Sequence, residues 1–173
     1  MTENIQFGNL KISITTEPKK TVLIFSGNVD EHFKQEDVPR VESETIIFDL
    51  SEVENFNSCG IREWIYLIKD YSNLGKLIFR NCSVTMIDQV NMVPDSIGNA
   101  KIESFYAPYY CESESCCGET NRLIQISEHI ETLKEKKAPE FNCESCGKPL
   151  EFDALEESYF LFLDNMNAFP QAS

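Results

Sequence analysis

Thr45-Ile46-Ile47-Phe48-Asp49-Leu50 is a strand-length run in which apolar residues dominate, and Ile61, Trp64, Ile65, Ile68 and Tyr71 follow it closely. A continuous apolar run of this length suits a β-strand buried on both faces. The second set recurs at helical period, with Arg62, Glu63, Lys69 and Asp70 off the stripe, and predicts an amphipathic helix that Gly75 ends. Downstream, Lys76 to Arg80 reads as another strand, Val84 to Val90 as a second helix stopped before Pro94, and Lys101 to Tyr106 as a last strand. Upstream, Leu10, Ile12 and Ile14 alternate with polar residues, and a Glu17-Pro18-Lys19-Lys20 turn leads into Thr21 to Phe25, a β-hairpin pattern. Glu31 to Val41 is polar, is broken by Pro39, and should hold little more than a helical turn. Such alternation predicts an α/β fold, a mixed β-sheet with helices on one face, with Trp64 in its core.

The chain has 173 residues, 42% of them apolar and 25% charged, a composition able to build one core with a small appendage. Fifteen Lys plus Arg against 29 Asp plus Glu leave a net charge of −14. That field repels phosphate backbones and anionic lipid, so nucleic acid and membrane are not expected as partners. The apolar stretches are far short of the ~20 residues that span a bilayer. Met1-Thr2-Glu3-Asn4 has neither a basic flank nor an apolar signal core, and a cytoplasmic location is expected.

Seven cysteines are an odd number, and Cys111, Cys116, Cys117, Cys143 and Cys146 cluster while Cys59 and Cys82 stand apart. Short-spaced cysteine pairs in a reducing compartment point to metal ligation. A boundary is therefore placed near Tyr109 or Tyr110, with an α/β domain over 1–109 and a metal-stapled module over 110–173. Cys143-Glu144-Ser145-Cys146-Gly147 has the shape of a knuckle that turns two thiolates toward one ion. Its mate is Cys111 with Cys116, enclosing four residues, or with Cys117, enclosing five but followed by Gly118 as Cys146 is by Gly147. Either choice supplies four thiolates, the donor set of structural zinc (Zn2+), and the arrangement is similar to a zinc ribbon. Such a closed set disfavours a zinc hydrolase, and His129 belongs to a polar segment with Glu128 and Glu131. After Lys148 the module carries Glu151, Asp153, Glu156, Glu157 and Asp164 without a single Lys or Arg, the opposite of a phosphate-binding ribbon. Leu123 to Ile126 and Leu150 to Phe152 are expected to pair as ribbon strands. A terminal helix should then start at an Asp153/Glu156 capping box. Its stripe of Leu155, Tyr159, Phe162 and Leu163 would dock on the ribbon or the sheet, or Phe160 and its neighbours would offer a partner surface. The tail from Asn165 to Ser173 is expected to fray.

Asp49-Leu50-Ser51-Glu52-Val53-Glu54-Asn55-Phe56-Asn57-Ser58-Cys59-Gly60 resembles the signature of the STAS family, the anti-sigma factor antagonists and related sulfate-transporter domains. That signature runs Asp-Leu-Ser, a spaced valine, an apolar residue, then Asp-Ser-Ser/Thr-Gly at a helix start. The resemblance covers about residues 9 to 107. It implies a bacterial signalling protein, not an enzyme, whose Asn57, Ser58, Cys59 and Gly60 corner binds a protein partner such as an anti-sigma-type serine kinase or another signalling subunit. It also implies that Ser58 is the phosphoacceptor. Asn57 stands where the family has aspartate, and Cys59 where it has a second hydroxyl residue. A phosphate on Ser58 would meet the unpaired N–H groups and positive end of the helix and add about −1.5 to −2 charges. The alternative is a scaffold subunit in which Ser58 only caps its helix and the ribbon is the docking element.

Overall fold

A computed structural model of the chain describes residues 2–116 and 118–165. The first sheet has six strands in sequence order: β1 (Thr2–Phe7), β2 (Leu10–Thr16), β3 (Lys20–Val29), β4 (Thr45–Phe56), β5 (Lys76–Arg80) and β6 (Lys101–Ile102). β1, β2 and β3 pair antiparallel, whereas β3 through β6 pair parallel. Parallel neighbours need crossovers: between β3 and β4 a segment whose one helical turn is Gln35–Asp37, between β4 and β5 α1 (Ser58–Tyr71), and between β5 and β6 α2 (Val84–Met92). The mixed α/β architecture read from the sequence is thus present. β1 was not legible, because Thr-Glu-Asn-Ile-Gln-Phe is an edge strand with mostly exposed side chains, and its apolar alternation is confined to Ile5 and Phe7.

One face of the sheet carries the core. Leu10, Ile12, Leu23, Phe25, Ile46, Phe48, Leu50 and Phe79 are fully buried, and α1 lays Trp64 over them. The Trp64 ring centroid lies 5.2 Å from Phe25, 5.9 Å from Phe48, 5.6 Å from Phe56 and 6.0 Å from Phe79. Its indole N–H, which would be costly to bury unpaired, donates to the Ser96 carbonyl at 2.8 Å. The buried stripe of α1 is Gly60, Trp64, Leu67, Ile68 and Tyr71, while Ile61 and Ile65 are only half-buried. Leu67 takes the place the sequence pattern gave to Ile65, and α1 starts at Ser58, ahead of that pattern.

The strand expected over Lys101 to Tyr106 is divided at Glu103. β6 completes the first sheet, and β7 (Ser104–Tyr110) opens a second with β8 (Glu119–Gln125) and β9 (Glu151–Phe152), in the order β8-β7-β9. β8 and β9 therefore do not pair with each other as ribbon strands; β7 lies between them, with Tyr109 opposite both Thr120 and Phe152. β7 also runs through Tyr109 and Tyr110, so the change of sheet falls ahead of the position given to the domain boundary. A polar junction makes the turn. Cys82 N–H donates to Ser104 O at 3.0 Å and Tyr106 N–H to Cys82 O at 2.8 Å. Asn81, at φ 53°, donates its backbone N–H to Ser104 Oγ at 2.9 Å, and that hydroxyl donates to Asn81 Oδ1 at 3.0 Å. Beneath them Asp49 Oδ2 accepts from Arg80 Nε (3.1 Å), an Arg80 terminal nitrogen (3.0 Å) and Asn81 Nδ2 (3.0 Å), while Oδ1 accepts from Ser51 Oγ (2.9 Å).

Two short helices, α3 (Ile130–Lys134) and α4 (Glu156–Tyr159), follow β8 and β9, and a tighter turn, Phe160–Asp164, continues α4. Phe160 and Phe162 are fully buried, and Phe160 stacks on Phe152 at 5.4 Å while Phe162 meets Phe105 edge-on at 5.1 Å. Asn91 Nδ2 on α2 donates to Tyr159 O at 2.9 Å, and Tyr159 OH donates to Tyr106 O at 2.5 Å. The aromatic segment therefore packs between α2 and the second sheet, and Phe160 offers no surface. Leu155, expected on the buried stripe, is exposed. The expected capping box does not form: Leu155 is the N-cap, and Glu156 instead accepts from Ala138 N–H (2.7 Å) and Lys137 Nζ (3.2 Å), tying down the preceding loop. Of the tail, residues 166–173 lie outside the described residues. Among the described residues no helix is long and apolar enough to cross a membrane.

Asp49 is nearly buried and Arg80 about a third exposed, so removing one partner should cost less than the roughly 3–5 kcal/mol of a wholly buried pair. Asp49→Ala is expected to lower the unfolding free energy by about 2–3 kcal/mol, read by urea titration of Trp64 fluorescence. Asp49→Leu combined with Arg80→Met should recover part of that loss.

Candidate metal centre and the Ser58 corner

β7 ends at Tyr110 and delivers Cys111, buried, to the rim of the second sheet. Two loops then converge there. Cys111 N–H donates to Gly118 O at 2.9 Å and Cys116 N–H to Ser113 O at 2.9 Å. In the other loop Cys143 N–H donates to Lys148 O and Gly147 N–H to Cys143 O, both at 2.8 Å. Gly118 and Gly147 each sit at φ +72°, the left-handed conformation that glycine adopts without strain and that reverses each loop after its cysteine. Cys111, Cys116, Cys143 and Cys146 come together, with all four sulfurs within 4.8 Å of one another. The Cys111–Cys146 pair lies at 3.6 Å and the Cys116–Cys143 pair at 3.7 Å. Those separations are far beyond a disulfide bond, and near the ~3.8 Å edge of a tetrahedron whose centre is about 2.3 Å from each sulfur. The four cysteines can hold one metal ion. Cys117, the other candidate mate, lies outside the described residues.

The local backbone sets the thiols apart. N–H groups of Cys146 and then Ser145 face the Cys143 sulfur and hold its thiol down to about 6. The N–H of Lys148 likewise lowers Cys146. Cys116 is pushed up to about 12, first by its contact with Cys146 and then by burial. At Cys111 the N–H of Ser113 favours the thiolate, but burial and the adjacent Cys146 outweigh it and raise the thiol. Cys82 is buried at the sheet junction, where desolvation strongly disfavours its thiolate. His129 is not among the clustered ligands; its ring packs edge-on against Phe141 at 5.8 Å.

The sequence-predicted corner forms where β4 meets α1. Asn57 is the N-cap: its Oδ1 accepts from Cys59 N–H at 3.1 Å and Gly60 N–H at 2.9 Å. The capping role considered for Ser58 thus belongs to Asn57. Ser58 is the first helical residue, it is exposed, and its hydroxyl has no hydrogen-bond partner among the described residues. Cys59 is exposed beside it, and Gly60 is buried. A Cβ on Gly60 would lie 1.9 Å from Val29 O, so only glycine lets α1 approach β3 this closely.

Sequence reasoning missed the third side of this corner, Asp30-Glu31-His32, whose ligand atoms also cluster within 4.8 Å. Glu31 Oε2 accepts from Asn57 Nδ2 at 2.5 Å. Asp30 Oδ1 accepts from His32 N–H at 2.9 Å, which is the main reason its carboxyl lies below the usual range. Glu31 is lowered as well, by its own backbone N–H and then by the Asn57 amide. The only advance signal was adjacency in a loop, since pairing with Asn57 depends on β3 and β4 lying side by side.

No protein-family model matches the chain, and no curated protein matches it.

Purified protein is expected to carry about one metal ion per chain, with occupancy lost in Cys143→Ser and kept in Cys59→Ser, as read by elemental analysis. Ligation requires thiolates. Protons therefore compete with the metal for the four sulfurs, and retention is expected to decline progressively as a dialysis series is taken to lower pH.

Proposed function

We propose that this chain is a non-catalytic regulatory module that docks a protein partner at the Ser58 corner, with docking gated by phosphorylation of Ser58. The observation that carries the reading is the division of labour at the start of α1: Asn57 satisfies the helix N–H groups, and Ser58 is left exposed with an uncommitted hydroxyl. A macromolecule can reach that oxygen. The likeness of Asp49 to Gly60 to the STAS signature supplies the partner class, an anti-sigma-type serine kinase or another signalling subunit. An added phosphate would sit at the positive end of α1 and change both charge and shape of the docking surface.

In the same reading the four cysteines hold structural zinc. Four sulfur donors suit a borderline-soft ion in a closed tetrahedral site, and a closed site leaves no position for a substrate, which supports binding rather than catalysis. Thiols intended for zinc belong in a reducing, cytoplasmic compartment.

A second reading, the unmodified scaffold, is favoured by one feature. Asp30 and Glu31, both held in their ionised form, adjoin Asn57, and like charge disfavours a phosphate there.

Incubation with kinase-containing lysate of the source cell, followed by intact-mass measurement, separates the two readings. A gain of one phosphoryl mass that is absent in Ser58→Ala is expected, together with loss of one defined partner from Ser58→Asp pull-downs. If no mass gain occurs while a partner still binds wild type and Ser58→Asp alike, the scaffold stands and the switch is rejected.

A further inference from the structure

The face of the first sheet opposite Trp64 has its own order. Register places Val22, Ile47, Ile78 and Lys101 in one row across β3, β4, β5 and β6. Lys20, Thr45 and Lys76 form the row on one side, and Ile24, Asp49 and Arg80 the row on the other. Ile24 is 39% exposed, and Val22 and Ile78 are half-buried. Beyond Ile78 the row opens into a cleft of about 310 Å³, walled by Ile126 and Ile130 and edged by Lys76, Lys101, Glu103 and Ser127. Two backbone bonds fix its base: Glu103 N–H to Phe79 O at 2.8 Å and Ile126 N–H to Glu103 O at 3.1 Å.

The charge on these rows runs against that of the chain. Net charge is −14, yet the strand positions here carry Lys20, Lys76, Lys101 and Arg80. Their one carboxylate, Asp49, is engaged by Arg80 and Asn81. Lys20 pairs with Glu17 at 3.1 Å, whereas Lys76 and Lys101 form no ion pair among the described residues. A solvated sheet face on so acidic a protein would be expected to show carboxylates, not an apolar row fringed by lysines.

We propose that this face is a second docking surface, and that its occupant is an acidic amphipathic helix of a protein partner. Strands are spaced about 4.8 Å apart, so the four-strand row is roughly 14 Å long, and successive rows on one face are about 7 Å apart. A helix about 10 Å across lies along such a row. Its apolar stripe covers Val22 and Ile78 on either side of the already buried Ile47, a terminal apolar side chain enters the cleft, and carboxylates on one flank meet Lys76 and Lys101. The acidic bulk of the chain does not prevent this at physiological salt, because screening is effective beyond about 8 Å while the lysines are in contact. This surface is distinct from the Ser58 corner, and the inference does not depend on the switch there.

The test uses isotope-labelled full chain and two synthetic helical peptides: one built from Leu and Glu with the leucines on one stripe, and the same peptide with Lys replacing Glu. The acidic peptide is expected to shift the backbone amide signals of Val22, Ile47 and Ile78, and to bind at least about tenfold more tightly than the basic one. Lys76→Glu with Lys101→Glu, both exposed and remote from the core, should weaken it by at least about tenfold with an otherwise unchanged spectrum. Ser58→Ala should bind as wild type. The proposal is overturned if the two peptides bind alike, if the shifts fall on α1 instead, or if the charge reversals have no effect. Self-association of the chain through Val22 and Ile78, seen by sedimentation, would also overturn it by making a second copy the occupant.

Discussion

A single buried carboxylate governs how the two sheets meet. Asp49 lies on the central strand β4 with almost no solvent contact, and an unpaired charge there would be untenable. Its partners come from the ends of neighbouring segments: Ser51 beyond it on β4, Arg80 at the last position of β5, and Asn81 just after. Asn81 in turn grips Ser104 through two hydrogen bonds, and Ser104 begins β7. The same Asn81 that helps to satisfy Asp49 thus holds the start of the second sheet against the end of the first. What lies downstream, including the four-cysteine cluster at the far end of β7, inherits its position from that junction.

The sequence was most readable where burial is strongest. β4, β5, α1 and α2 announce themselves through apolar content and period, and Trp64 in the core follows from the same stripe. Cysteine spacing located Cys111, Cys116, Cys143 and Cys146, the four that come together as possible metal ligands, because chelate geometry is local. What could not be read depends on contacts between distant segments. β1 is a mostly polar edge strand whose pattern is a single apolar pair, Ile5 and Phe7, too short to announce a strand. The break at Glu103 arises from hydrogen bonds to Cys82 and Asn81, residues that precede it by a helix and a loop. Glu156 looked like part of a capping box on spacing alone, but the unpaired N–H of Ala138 reached its carboxylate first.

The corner of α1 shows how one substitution redistributes roles. Asn57 accepts from two helix N–H groups with its oxygen and donates from its nitrogen to Glu31. A carboxylate at this position would accept equally well but could not donate, and it would face Glu31 as a like charge. The amide thus goes together with the acidic loop. Gly60 completes the arrangement by letting α1 rest against Val29, which fixes the height at which Ser58 stands above the sheet.

The aromatic segment from Tyr159 to Leu163 touches α2, β7 and β9, each of which precedes it in the chain. On a ribosome, therefore, the first sheet can assemble before the segment that covers Phe105 and Phe152 has been made, and that part of the interior is completed only once every element it packs against already exists.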